Sequence, residues 1–215
     1  ADGDNNTAIG YRALYSMDPS GNADMYNVAV GHDAGLSVTT GVKNTILGGL
    51  AGDALTTGNY NVAVGYKALS SEDGNGRNVA IGYLALDQQN AGADAYNVAV
   101  GFYAGEAVTT GVYNTIMGGL AGDALTTGNY NVAIGAYALS AEDANGRNVA
   151  VGYSALFSQD AGADAYNVAV GYQAGVNVTT GIRNILIGAG TGDALTNGNY
   201  NTAVGHFALS AEDGH

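Results

Sequence analysis

The side chains that could take part in catalysis are few and scattered. Three histidines, His32, His206 and His215, lie at unrelated positions, and the chain has no cysteine. Acidic pairs such as Glu72-Asp73 and Glu142-Asp143 have the side-chain type that general acid–base catalysis uses. Neighbouring residues in glycine-rich segments point in different directions, however, and such pairs are typical of solvated turns. The sequence therefore predicts that the protein is not an enzyme.

One segment resembles a calcium-binding motif. Residues 48–55, Gly-Gly-Leu-Ala-Gly-Asp-Ala-Leu, approach the Gly-Gly-x-Gly-x-Asp pattern of calcium-binding β-rolls. Ala51 stands where that pattern has a glycine, and the segment returns only once in 70 residues instead of in successive units. We therefore predict no metal site and no cofactor, with calcium as the alternative.

Aromatic residues are better candidates for a function. Most of the 15 tyrosines directly precede a repeated asparagine or directly follow a repeated glycine, where they can stack along the molecule. The two residues after the glycine differ most between otherwise similar stretches, and variation on a fixed scaffold is typical of a ligand-contacting surface. The predicted binding residues are His32, Asp33, Phe102, Tyr103, Tyr172 and Gln173.

A repeat that spans the chain must position these residues. A segment of the form Asn-(Val/Thr)-Ala-(Val/Ile)-Gly recurs twelve times, at steps of 21 and then 17, 17, 17 and 19 residues in a cycle. A period of 70 residues lies over the short one, and residues 27–96 and 97–166 are identical at about three quarters of their positions. Short units at fixed spacing bury a hydrophobic face only by stacking on their neighbours, which predicts a solenoid.

The array is predicted to form one domain over 1–215, with a partial leading unit over 1–26 and blocks over 27–96, 97–166 and 167–215. The asparagine that opens each unit is expected to stack on its neighbours as a structural ladder of side-chain amides. The members of this ladder are Asn27, Asn44, Asn61, Asn78, Asn97, Asn114, Asn131, Asn148, Asn167, Asn184 and Asn201.

The unit around Val62-Ala63-Val64 illustrates the expected all-β fold, a parallel β-solenoid of about twelve coils of 17–19 residues. β-Branched residues at alternate positions indicate a strand. A second extended piece is expected over 66–69, so that each coil contributes to two sheets. Because the strand is apolar on both faces, we expect Val and Ile to fill the coil and the small Ala to pack against a neighbouring chain in a homo-oligomer.

Charge and hydropathy exclude two kinds of partner. The net charge is -13 with only six basic residues, so the chain lacks the basic stripe that binds a phosphate backbone, and we predict no nucleic-acid partner. The longest apolar runs are a few residues, far below the roughly 20 that cross a bilayer, which predicts no membrane insertion.

Three segments of the array resemble the repeats of known fibrous proteins: residues 6–16, Asn-Thr-Ala-Ile-Gly-Tyr-Arg-Ala-Leu-Tyr-Ser, residues 201–205, Asn-Thr-Ala-Val-Gly, and the connecting segment 55–58, Leu-Thr-Thr-Gly. The resemblance is to the repeats of trimeric autotransporter adhesin heads and, more closely, to those of phage tail-fibre proteins. It covers nearly the whole chain. Ile46, Ile116 and Leu186 depart from the pattern, because they replace its central alanine.

The resemblance implies a homotrimeric, left-handed parallel β-roll that lies outside the cell, on a cell surface or on a virion. It also implies a structural or adhesive role, with a cell-surface glycan or protein receptor as the partner. A monomeric solenoid that binds calcium, polysaccharide or ice is the alternative. A single chain whose three blocks close around a pseudo-threefold axis is a further possibility.

Overall fold

The computed structural model describes residues 5–18, 24–74, 76–144 and 146–211. Within them, every repeat contributes one strand of three residues, and no helix is present. The strands are β1 (Thr7–Ile9), β2 (Val28–Val30), β3 (Thr45–Leu47), β4 (Val62–Val64), β5 (Val79–Ile81), β6 (Val98–Val100), β7 (Thr115–Met117), β8 (Val132–Ile134), β9 (Val149–Val151), β10 (Val168–Val170), β11 (Ile185–Ile187) and β12 (Thr202–Val204).

All twelve strands form one parallel sheet in chain order, β1 to β12. The register never slips: the central residue of each strand lies opposite the central residue of the next, as Ala63 lies opposite Ala80. At about 4.8 Å per strand, the sheet is about 53 Å long. The prediction of an all-β parallel solenoid with a strand in each repeat is therefore confirmed.

The side of the strand that faces the core is the opposite of the prediction. The central alanines, among them Ala63, Ala99 and Ala133, are fully buried in the hydrophobic core of the single chain. The flanking residues, such as Val62 and Val64, are only half-buried and point outward. The coil is too thin for Val or Ile on the strand beneath a leucine of the opposite layer, so the small residue takes the inner position.

Where the central residue of a strand is large, the residues that face it from the opposite layer are small. Ile46 replaces alanine in β3, and glycines stand at the facing positions 35 and 52, where six of the twelve coils have leucine. A Cβ on Gly35 would lie 2.9 Å from Cδ1 of Ile46. The same exchange of a large residue for a small one occurs around Ile116 and Leu186. Volume is thus conserved within the core, which explains the departures from the repeat pattern.

The second predicted sheet is absent from the described residues. The segment over 66–69 is a run of turns in which Lys67 and Leu69 both have a left-handed φ of 54°. The Lys67 N–H donates to the Gly49 carbonyl at 3.1 Å and the Leu69 N–H to the Ala85 carbonyl at 3.0 Å. The segment therefore bonds to the coils on both sides without adopting an extended conformation, and the prediction of two sheets per coil is wrong.

A glycine ends every strand because two backbones approach closely there. Gly82 has a φ of +143°, and a Cβ on it would lie 2.1 Å from the carbonyl oxygen of Gly101 in the next coil. No side chain fits in this position. The glycine turns the chain out of the sheet and sets the place of the two residues that follow it.

Candidate functional site

The repeated asparagines form a ladder in the interior, which we call the asparagine ladder. The Asn114 side-chain oxygen accepts from the backbone N–H of Asn131 at 2.9 Å, and its amide nitrogen donates to the Gly128 carbonyl at 2.8 Å. The first of these bonds recurs at every step from Asn6 to Asn201. The main partner is therefore the backbone of the next coil and not, as expected, the next side-chain amide.

A second ladder lies outside, one residue earlier in each unit, and we call it the tyrosine–cation ladder. Its rungs from 26 to 200 are tyrosine, lysine or arginine, all with a left-handed φ. Tyr96, Tyr113 and Tyr130 stack with ring centroids 5.2 and 5.3 Å apart. Arg147 continues the column between Tyr130 and Tyr166, at 5.5 Å from each ring. Four of the six basic residues of the chain, Lys43, Arg77, Arg147 and Arg183, belong to this ladder.

The predicted binding residues lie along the opposite border of the sheet, where the strands end. His32 is exposed and stacks on Tyr11 with centroids 5.2 Å apart. Asp33 is 4% exposed and accepts two hydrogen bonds from Arg12, at 2.8 and 2.6 Å. These hydrogen bonds hold the pKa of Asp33 below its ordinary value. Asp33 therefore has a buried structural role, whereas the neighbouring His32 is exposed.

Phe102 and Tyr103 join an aromatic cluster one block further along. Phe102 is 54% exposed and stacks on Tyr83 at 5.4 Å, while Tyr83 stacks on Tyr66 at 5.5 Å. Tyr103 packs edge-on against Phe102 at 4.4 Å. Burial raises the pKa of the Tyr103 hydroxyl above its ordinary value, and the neighbouring Tyr83 raises it further. Both faces of Tyr83 are thus covered by other rings.

Tyr172 and Gln173 lie in a more open environment. Tyr172 is 57% exposed and stacks on Tyr153 with centroids 5.4 Å apart. Gln173 lines a shallow depression of about 460 Å³ together with Tyr137 and Phe157. Neither Tyr137 nor Phe157 was among the predicted residues. A signal existed in the sequence, since both positions differ between blocks: residues 67 and 87 are Lys and Asp where 137 and 157 are Tyr and Phe.

Among the described residues, oxygen atoms that could hold a cation occur in one group of three carboxylates and at two single carboxylates, Asp53 and Asp193. Glu142, Asp143 and Asp160 each offer one carboxylate oxygen, and these oxygens lie within 4.8 Å of one another. Asp53, in the segment that resembles the calcium motif, has one buried oxygen without a hydrogen-bond partner. Burial raises the pKa of Asp53 above its ordinary value. The group and the two single carboxylates belong to different parts of the array and do not form one site.

Threonine pairs in the repeats, such as those at 39–40 and 56–57, also bond between coils. The Thr56 hydroxyl donates to the Asp73 carbonyl at 2.7 Å, and the Thr39 hydroxyl donates to the Thr56 carbonyl at 3.1 Å. These hydroxyls strengthen the contact between neighbouring coils. Other residues form the outward face of the sheet.

Comparison with known proteins leaves the fold and surface as the only guides to function. No protein-family model, no curated protein and no solved structure matches the chain. Among the residues that the structure describes, no helix is long and apolar enough to cross a membrane.

Proposed function

We propose that the chain is a non-enzymatic structural and adhesive segment of a fibre, of the kind that forms phage tail fibres or bacterial surface adhesins. The observation that supports this most strongly is the outward face of the sheet. Each strand places two side chains on it, mostly Val, Ile, Leu or Met, and residues such as Ile81, Met117 and Ile187 are 37–41% exposed. A continuous apolar strip of this length is typical of a protein–protein interface.

The occupant we propose for this face is a second and a third copy of the same chain. Copies that lie parallel and in register present side chains with the same spacing along the whole strip. Each outward side chain of one copy can therefore pack between outward side chains of another. This arrangement retains the predicted homotrimer but changes its contact surface. Val and Ile form the interface, whereas the alanines fill the interior of each chain.

Adhesion in this proposal depends on the surfaces beside the apolar face. The residues after each glycine vary widely from coil to coil, while the glycine and the asparagine do not vary and the strand stays almost entirely apolar. Weak contacts with a glycan or protein receptor on a host surface would be multiplied along the rod and across the subunits. A location outside the cell, on a cell surface or on a virion, follows from this role.

Measurement of mass in solution tests the oligomer. Light scattering on the wild-type chain is expected to give three times the mass of one chain. Replacing Ile81, Met117 and Val170 by Lys places three charges on the apolar face and is expected to give monomers, because burial of unpaired charges costs several kcal/mol. The side chains are outward-facing and partly exposed, so the isolated solenoid can tolerate the substitutions.

The matched control adds the same three charges elsewhere on the surface. Ser71, Thr110 and Ala141 are exposed and lie away from the strands, and their replacement by Lys should leave the mass unchanged. A wild-type chain that is monomeric at all concentrations would contradict the proposed fibre. It would favour the monomeric binding solenoid instead.

A further inference from the structure

The depression beside Gln173 spans three successive coils and has an aromatic lining. Tyr137 packs edge-on against Tyr153, with centroids 5.9 Å apart, and against Phe157, with centroids 6.3 Å apart. Polar lining comes from Gln173 and Asn177, together with two serines. The Asn177 amide nitrogen donates to the Asp193 carbonyl at 2.6 Å, which holds that side chain in place. The depression has a volume of about 460 Å³, which is within the range of small-ligand sites.

One ring in this depression has a face that no stacked ring covers. Tyr153 stacks on Tyr172 on one side, at 5.4 Å. On the other side, the position that would supply the next ring of the column is Ala136. One block earlier, Tyr66 occupies the equivalent position and stacks on Tyr83. The change from Tyr to Ala between blocks therefore removes the parallel ring on this side of Tyr153, and the adjacent Tyr137 packs edge-on against Tyr153 instead.

The depression also has no charged lining residue, although the chain has a net charge of -13. The equivalent positions one block earlier include Lys67, Asp87 and Glu106, and the depression has Tyr137, Phe157 and Val176 in their place. All three charges are thus replaced by uncharged residues at one location. A site without charge favours a ligand without charge, because an ion would lose hydration there and gain no partner.

We propose that this depression binds an uncharged pyranose unit of a glycan. The partly exposed rings of Tyr137, Tyr153 and Phe157 offer apolar surface on which the C–H-rich face of a sugar ring can pack. The amides of Gln173 and Asn177 and the hydroxyls of Ser154 and Ser158 supply donors and acceptors for its hydroxyl groups. The inference rests on the adhesive role proposed above and assigns a ligand class to it. It places the site over residues 137–177 and not at the two variable residues after every glycine.

The direct test is titration calorimetry of the wild-type chain with four neutral disaccharides: cellobiose, maltose, lactose and chitobiose. Digalacturonate serves as the charged comparison. At least one neutral disaccharide is expected to bind with one site per chain, and digalacturonate is expected to bind at least tenfold more weakly. Absence of binding by all four neutral sugars, or equal binding of digalacturonate, would overturn the proposal.

The repeat supplies variants that the scaffold already accommodates. Tyr137→Lys with Phe157→Asp restores the residues found at the equivalent positions 67 and 87, and it should weaken neutral-sugar binding at least tenfold. Thr110→Lys with Ser71→Asp adds the same two charges at exposed positions outside the depression and should leave the affinity unchanged. Equal affinity in both variants would place binding elsewhere and overturn the assignment.

The reverse exchange should create a second site. The graft carries the eight substitutions Tyr66→Ala, Lys67→Tyr, Leu84→Ser, Asp87→Phe, Gln88→Ser, Tyr103→Gln, Glu106→Val and Ala107→Asn. A folded graft is expected to bind two sugars per chain, and a stoichiometry that stays at one would contradict the assignment.

Attachment to cells separates the two proposals. If wild type and the Tyr137→Lys, Phe157→Asp variant attach to cells equally, the glycan site is wrong and the adhesive role stands. If neither attaches although the purified wild type binds a neutral sugar, the adhesive role is wrong and the sugar site stands.

Discussion

The two ladders differ in chemistry although their rungs are adjacent in the sequence. The asparagine ladder has one residue type throughout, whereas the tyrosine–cation ladder changes between Tyr, Lys and Arg. The asparagines from Asn27 to Asn184 are buried and each satisfies a backbone group of a neighbouring coil, as Asn114 does for Asn131 and Gly128. The outer rungs make contacts of stacking type, which several flat or extended side chains can provide. Burial with directional hydrogen bonds therefore restricts the residue, and half-exposed stacking restricts it far less.

The largest effect on stability is expected from a substitution in the asparagine ladder. Asn114→Ala removes the partners of the Asn131 N–H and the Gly128 carbonyl, which are buried within the coil. We expect a loss of about 1–3 kcal/mol of unfolding free energy for each unsatisfied group. Chemical denaturation followed by circular dichroism measures it. If Asn114→Ala lowers the unfolding free energy by less than Tyr113→Ala does, the proposed difference between the two ladders is wrong.

A smaller effect is expected one residue earlier, in the outer ladder. Tyr113→Ala removes stacking on Tyr96 and Tyr130 but leaves no buried polar group without a partner. The expected loss is about 0.5–1.5 kcal/mol for each aromatic contact, reduced by exposure. The same denaturation measurement provides the direct comparison, since positions 113 and 114 lie in the same coil.

The ion pair of Asp33 sharpens the comparison through its dependence on pH. Its folded-state pKa is lowered, so Asp33 stabilises the fold above its unfolded pKa of about 3.9, and the stabilisation is lost as pH falls through the lower folded pKa. Asp33→Asn should therefore lower the melting temperature at pH 7 and change it little near pH 2. For Asn114→Ala, whose partners do not titrate, we expect the same shift at both pH values.

The smallest effect is expected from Tyr113→Phe. The ring and its stacking remain, and the lost hydroxyl is at the exposed edge of the ladder. Unfolding free energy should change by less than about 0.5 kcal/mol. A larger loss would show that the hydroxyl, and not the ring, stabilises the outer ladder.

Much of the architecture could be predicted because stacked repeats leave few arrangements. The position of each strand, the parallel order and the internal place of the asparagines follow from a recurring pattern of 17 to 19 residues. The second sheet was wrongly predicted because Lys67 and Leu69 are residues that normally avoid a left-handed φ. Their conformation is stabilised by hydrogen bonds to two other coils, which no local pattern reveals.

The candidate site shows the same limit. The variable pair after the glycine was recognised from the sequence, and Gln173 does line the depression. Tyr137 and Phe157 lie 36 and 16 residues earlier in the chain, and only the stacking of coils brings them beside Gln173. The loss of a parallel ring beside Tyr153 depends in turn on the alanine at residue 136, in the preceding coil.

The sequence was sufficient to predict a parallel β-solenoid with a strand at the Val-Ala-Val segment of each repeat, because units this short cannot bury an apolar face alone. The tertiary structure alone decided which side of each strand faces inward. Val-Ala-Val is apolar at all three positions, so its pattern does not distinguish the two faces. The thin interior, filled from the opposite layer by leucines such as Leu69 and Leu86, leaves room only for alanine. Close packing therefore places Val and Ile on the surface, where the proposed partner chains would cover them.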